Sequence, residues 1–200
     1  MADGIKDKVA IIGMGCTKFG ERWDKSANNL MVDAFLEALE DAGIEKKDIQ
    51  AGWIGTCYEE TSVGKSAIPL SITLKLPFIP STRVENFCAT GSESLRGACD
   101  GGASGACDIA LAVGVEKLKD TGYGGLPQTD AQVGTAYRFI FPNYTPPGMF
   151  AMMGTRYFAQ YGLTPQEGKH VLARITVKSH HNGALNPKAH LRREVSLEEV

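Results

Sequence analysis

Cys88 is the residue with the clearest chemical potential. It stands where a short run, Arg83-Val84-Glu85-Asn86-Phe87, gives way to the small residues Ala89-Thr90-Gly91-Ser92. The run reads as a strand and the small residues as the opening of a helix. At such a junction the free backbone N–H groups and the positive end of the helix dipole favour a thiolate over a thiol. The same N–H groups suit an oxyanion developing on an attacked carbonyl. Free cysteine is also among the most buried residue types, so position alone leaves two readings, armed nucleophile and core thiol. The chain has five cysteines, Cys16, Cys57, Cys88, Cys99 and Cys107. An odd number without C-x-x-C spacing argues against a disulfide framework and against a thiolate zinc site. The other four do not open a helix after a buried strand and read as core.

Other chemical motifs fail on spacing. Gly13-Met14-Gly15 invites a dinucleotide fingerprint, but the third glycine would fall on Lys18 and no helix opens there. Gly64-Lys65-Ser66 resembles the end of a phosphate-binding loop, yet its first glycine would be Glu59, beside Glu60, where carboxylates repel phosphate. His180 and His181 are adjacent on a helical pattern, so they point to different sides and cannot chelate as an i, i+4 pair can. With His170 and His190 they read as solvated surface or helix-end charge, and no metal site is expected.

The elements that must position Cys88 alternate. Val9–Gly13 reads as a buried strand. Leu30, Met31, Ala34, Phe35, Ala38, Leu39 and Ala42 recur at helical spacing, opposite Asp33, Glu37, Glu40 and Asp41, and Gly43-Ile44 suits a left-handed stop. Ala51–Cys57 makes a second strand. Ala67–Leu76 makes a helix with Pro69 in its first turn, closed by Pro77 and Pro80. Arg83–Phe87 is the third strand, Ala89–Ala103 the next helix, and Ile109–Val115 a fourth strand, apolar throughout and expected to be buried on both faces. Such alternation predicts an α/β fold with a parallel sheet covered by helices on both sides. The helix after Cys88 carries Gly91, Gly97, Gly101 and Gly102. Each helical glycine costs about 1 kcal/mol relative to alanine. Close approach to another helix or to a long substrate would explain them.

Residues 117–150 are rich in glycine, proline and aromatics without a period, the mark of an excursion between core elements. Helical pattern resumes at Phe150–Tyr161 and at Pro165–His181, the latter opened by Thr164-Pro165-Gln166-Glu167. Ser196-Leu197-Glu198-Glu199-Val200 matches a capping box on the last five residues, so the sequence reads as the N-terminal piece of a longer protein.

Composition bounds the rest. At 200 residues, with 43% hydrophobic and 22% charged residues, the chain is a globular one of one or two domains. Its formal charge of −2 provides no basic excess for nucleic acid or an anionic membrane surface. The longest apolar run, Ile109–Val115, is far too short to span a bilayer. The acidic start lacks the pattern of a signal peptide, so a cytoplasmic location is expected.

The stretch Val84-Glu85-Asn86-Phe87-Cys88-Ala89-Thr90-Gly91-Ser92-Glu93-Ser94-Leu95 resembles the nucleophile segment of the thiolases, particularly the sterol-carrier-protein-x branch. Gly13, Gly15, Thr17, Phe19 and Gly20 resemble that branch's first strand and turn. Val113-Gly114-Val115-Glu116-Lys117-Leu118 resembles the strand end before the family's loop domain. Met153-Gly154-Thr155-Arg156-Tyr157, Tyr161-Gly162, Asn186-Pro187 and Glu194–Val200 resemble parts of the loop domain itself.

The resemblance implies a layered α-β-α-β-α fold with a mixed sheet, of which these residues form the first half. It divides the chain into a core half, 1–118, and a CoA- and substrate-facing loop domain, 119–200, cut short at its end. It implies acyl transfer between 3-oxoacyl-CoA and CoA through an acyl-cysteine at Cys88, or the reverse Claisen condensation. Coenzyme A is then a co-substrate, and no tightly bound cofactor is expected. Met153 would face the acyl pocket; Met152 stands where biosynthetic thiolases have a histidine, which makes that pocket more apolar. A homodimer or larger assembly is implied. The activating histidine and a second cysteine or equivalent acid belong to the family's other half. The alternative is a thiolase-like lyase (an aldolase) or a non-catalytic subunit, working with a small zinc-ribbon/OB-fold protein.

Overall fold

The computed structural model describes residues 4–57, 63–121 and 146–200. The chain divides into two compact units, Met1–Tyr123 and Gly124–Val200.

Among the described residues the first unit has three strands, β1 (Ala51–Gly55), β2 (Ser81–Val84) and β3 (Ala110–Gly114), in the order β2-β1-β3. Both pairings are parallel, with Trp53 opposite Thr82 on one side and Ala112 on the other. Side chains alternate along β1. Ile54 is fully buried in the core with Met31 and Phe35 of helix α1 (Ala27–Ala42) and Leu70 and Leu74 of α2 (Ile68–Leu74). Trp53 and Gly55 face the other way, onto α3 (Thr90–Ala103). The sheet therefore carries helices on both faces, as the apolar strands require.

Helix α1 has the stop its sequence announces, and a capped start besides. Ser26 and Asn29 form a reciprocal capping box, and Gly43 adopts φ 66° while its amide bonds back to Leu39 O and Glu40 O. Helix α3 is pinned to the sheet by Ser94, whose buried hydroxyl donates to Trp53 O at 3.1 Å and Val113 O at 3.3 Å. Lys117, buried just beyond β3, donates to the carbonyls of Arg22 and Lys25 and pairs with Asp120, which ties the turn before α1 to the end of β3.

Two expectations are corrected. Val9–Gly13 is not a strand, and Ile11 is 69% exposed. The segment runs along α1, where Ala34, Ala38 and Ala42 leave room for it. A Cβ on Gly15 would lie 1.9 Å from Ala34 O, and the Met14 and Cys16 amides donate to the carboxylates of Asp41 and Glu37. The backbone thus finds helix side chains as acceptors instead of a neighbouring strand. Strand β3 is only partly buried, Val113 alone being fully so, because it lies at an edge of the sheet. Most of the proline- and glycine-rich stretch, 122–145, lies outside the described residues, as does the Glu59-Glu60 pair.

The second unit contains α4 (Pro146–Gln160) and α5 (Pro165–Leu185). The two meet closely where Phe158 leaves no room for a side chain on Gly168. Helix α5 begins with the reciprocal Thr164–Glu167 capping box that its sequence forecasts. Ser196 and Glu199 share a bond of the same kind, but the residues there form a turn.

Candidate active site

Strand β2 ends at Val84, three residues before the sequence pattern suggests. Glu85 and Asn86 leave the ladder and a single 3₁₀ turn, Phe87–Ala89, carries Cys88 directly into α3. The Cys88 side chain is exposed. Ala89 caps α3 and brings no side-chain acceptor, so no side chain of the cap answers the amides of the first turn.

The turn is strained. Phe87 has φ 46°, in the left-handed region, a conformation that costs a non-glycine residue about 1–3 kcal/mol and persists where surrounding contacts impose it. Three contacts do so. The Phe87 amide donates to Glu85 Oε1 at 2.5 Å, the Thr90 hydroxyl donates to Phe87 O at 2.6 Å, and the Asn86 amide donates to Thr90 Oγ1 at 2.8 Å.

Next to this turn, the residues just past β1 and β3 converge at the C-terminal edge of the sheet, where open α/β sheets place their sites. Thr56, fully buried, donates its hydroxyl to Glu116 Oε1 at 2.6 Å, and the Cys57 amide reaches the same oxygen at 2.9 Å. Arg83 Nη2 donates to Thr56 O at 2.8 Å, while its buried Nε has no acceptor among the described residues. Burial first, then the negative charges of Glu85 and Glu116, push the Cys57 thiol up to about 11, so Cys57 is a protonated thiol at neutral pH.

The four other cysteines do not form one class. Cys107 is buried, Cys57 and Cys99 are half-buried, and Cys16 is exposed beside α1, contrary to its core reading. Met153 lies on α4 in the second unit, 60% exposed, and Cys88 belongs to the first. His180 and His181 hold the stretch that follows α5, through Arg193 O and the Glu194 carboxylate, each at 2.8 Å. Among the described residues no group of side chains is arranged to hold a metal ion. Glu85, Thr90, Cys57 and Glu116 escape a reading based on residue type. The usable signal was positional, since all four lie within two residues of a strand's end or open the helix after Cys88.

Against known proteins, the thiolase N-terminal domain family matches residues 9–198. An acetyl-CoA acetyltransferase of Methanocaldococcus jannaschii is 40% identical over 194 residues, which cover 96% of this chain and 48% of that protein. A second acetyl-CoA acetyltransferase, from Methanothermobacter thermautotrophicus, is 35% identical over 96% of this chain and 49% of its own length. The chain therefore spans about half the length of these curated relatives. Among solved structures, the Ltp2-ChsH2(DUF35) aldolase superposes with a TM-score of 0.74 over 95% of this chain and 47% of that one, at 24% identity, a likeness of fold.

Proposed function

The chain belongs to the thiolase family, and on that premise we propose that it is the N-terminal part of an acyl-CoA acyltransferase in which Cys88 is the nucleophile. The Cys88 thiolate attacks the 3-oxo carbon of a 3-oxoacyl-CoA. The bond between carbons 2 and 3 breaks, acetyl-CoA leaves after its carbanion takes a proton, and the remaining acyl group stays on sulfur. Coenzyme A, losing its thiol proton, then attacks the thioester, which releases acyl-CoA and restores the thiolate. Run backwards, the same steps make a Claisen condensation.

The observation that carries this reading is the placement of Cys88: exposed, on a strained turn, immediately ahead of α3. A helix start supplies positive potential for the thiolate, and its amides suit the oxyanion of the tetrahedral intermediate. The histidine and second cysteine that move protons in thiolases are expected from the family's other half. The loop domain, 119–200, is proposed to face CoA, with Met153 beside the acyl group, and a homodimer or larger assembly to be the working form.

Iodoacetamide applied to the intact protein tests this. Cys88 should be alkylated faster than the other four cysteines, and acyl-CoA should protect it and leave an acyl group on that residue. Slow, uniform labelling of all five cysteines would defeat the assignment. The lyase alternative, with a small zinc-ribbon/OB-fold partner, needs no thiolate; full activity in Cys88→Ala would favour it.

A further inference from the structure

We propose that Glu85 is a positioning residue for the nucleophile: its carboxylate holds the Phe87 amide and so fixes the left-handed turn that presents Cys88. The proposal rests on the acyltransferase reading and adds to it a residue that reading does not use.

The peptide units on both sides of Phe87 are clamped by side chains. On the C-terminal side the Thr90 hydroxyl donates to Phe87 O, and the same oxygen accepts from the Asn86 amide further back. On the other, Glu85 accepts from the Phe87 amide. Thr90 is built into the unit: it is buried, and its methyl group lies against Gly55, where a Cβ would come within 2.9 Å of it. Glu85 is exposed. An exposed carboxylate ordinarily stays solvated, so one that turns back onto an amide two residues along its own chain is spending its charge on local geometry. A charged acceptor makes the stronger hydrogen bond to an amide, which suits a φ that Phe87 would not hold unaided. Glu85 also faces the Cys57 thiol at the end of β1, so one carboxylate links that strand end to the turn. A negative charge near Cys88 does nothing to favour a thiolate there. The role of Glu85 is therefore to aim the sulfur, and a neutral acceptor of the same shape should serve nearly as well.

The test compares Glu85→Ala and Glu85→Gln with the wild-type intact protein, reading iodoacetamide labelling of each cysteine by mass spectrometry across pH. Buried Cys107 reports unfolding in the same sample. In Glu85→Ala, Cys88 labelling should slow by about tenfold or more while Cys107 stays protected, since misplacing a reacting group by about an ångström costs up to a hundredfold. Glu85→Gln keeps an oxygen for the Phe87 amide and should label Cys88 within about threefold of wild type, a loss small against that effect. Wild-type Cys88 labelling in Glu85→Ala would overturn the proposal, as would a loss in Glu85→Gln equal to that in Glu85→Ala. Should Glu85→Ala expose Cys107, Glu85→Gln decides: near-wild-type labelling supports the acceptor role, and a tenfold loss refutes it. Protection of wild-type Cys88 by acyl-CoA is read separately, so its failure would sink the acyltransferase reading and leave the Glu85 comparison standing on its own.

Discussion

The indole of Trp53 occupies the space that a side chain on Gly97 would need; a Cβ there would lie 2.5 Å from the ring nitrogen. One turn later a Cβ on Gly101 would lie 2.8 Å from the far edge of the same ring. Gly97 and Gly101 of α3 are thus explained by an aromatic residue on the central strand. Gly97→Ala should destabilise the protein by about 1–2 kcal/mol, because overpacking costs about 1–3 kcal/mol and the gain in helix propensity returns less than 1. Urea unfolding midpoints check this. In the double variant with Trp53→Leu the cost of Gly97→Ala should largely vanish, and purely additive costs would show that the ring is not the cause.

Glu116 gathers the first two residues past β1. Replacing it with alanine leaves the fully buried Thr56 hydroxyl and the Cys57 amide without that acceptor. A buried group losing its partner costs about 1–3 kcal/mol, so Glu116→Ala should lower stability by about 2 kcal/mol. Glu116→Gln keeps one acceptor oxygen and should cost about half as much. Equal midpoints for Glu116→Ala and wild type in denaturant titrations would show that these bonds contribute nothing net.

Much of the first unit was legible because its signals are local. The Leu30–Ala42 period and the Gly43 stop gave α1 within a few residues, and Pro69 marked the first turn of α2. The turn that leads into α3 was legible for the same reason, lying where strand composition changes to helix composition. What failed was non-local. Val9–Gly13 has strand composition, but the two amides just past it, those of Met14 and Cys16, are taken by carboxylates of α1, which no window around it contains. Gly97 and Gly101 of α3 answer to Trp53, over 40 residues earlier in the chain. Glu85 and Thr90 act on the backbone of residues between them, so their types alone gave no hint of the role.

Thr164 and Glu167 close the start of α5 reciprocally. Thr164→Ala should weaken that helix start by about 1 kcal/mol, seen as faster hydrogen exchange of the amides at Glu167 and Gly168. Bonds from the Thr164 backbone and side chain hold the Glu167 carboxyl below its usual 4.5. Because the folded-state value is depressed, the contribution is present above that pH and lost as pH falls through the folded value. Exchange at the same amides, corrected for the intrinsic rate, should therefore speed up on acidification in wild type and change less in Glu167→Gln.

Cys57 titrates in the opposite sense. The groups that face it are Glu85 beyond β2, Glu116 beyond β3, and Arg83 on β2, of which the carboxylates raise its pKa and the guanidinium lowers it, with burial the largest cause. The thiol is raised from 9.0 to about 11. A raised folded-state value means that the stabilisation is complete below pH 9 and drains away as pH climbs toward 11, where the unfolded chain ionises more readily. Wild type should then lose thermal stability between pH 9 and 11 more steeply than Cys57→Ala, and iodoacetamide should label Cys57 far more slowly than Cys88 at pH 8. Glu85→Gln removes one of the two charges that raise the thiol, so its Cys57 labelling should begin at lower pH than in wild type. An unchanged Cys57 profile in Glu85→Gln would mean that burial alone holds the proton, and that the carboxylate which bonds Phe87 does not act on the thiol.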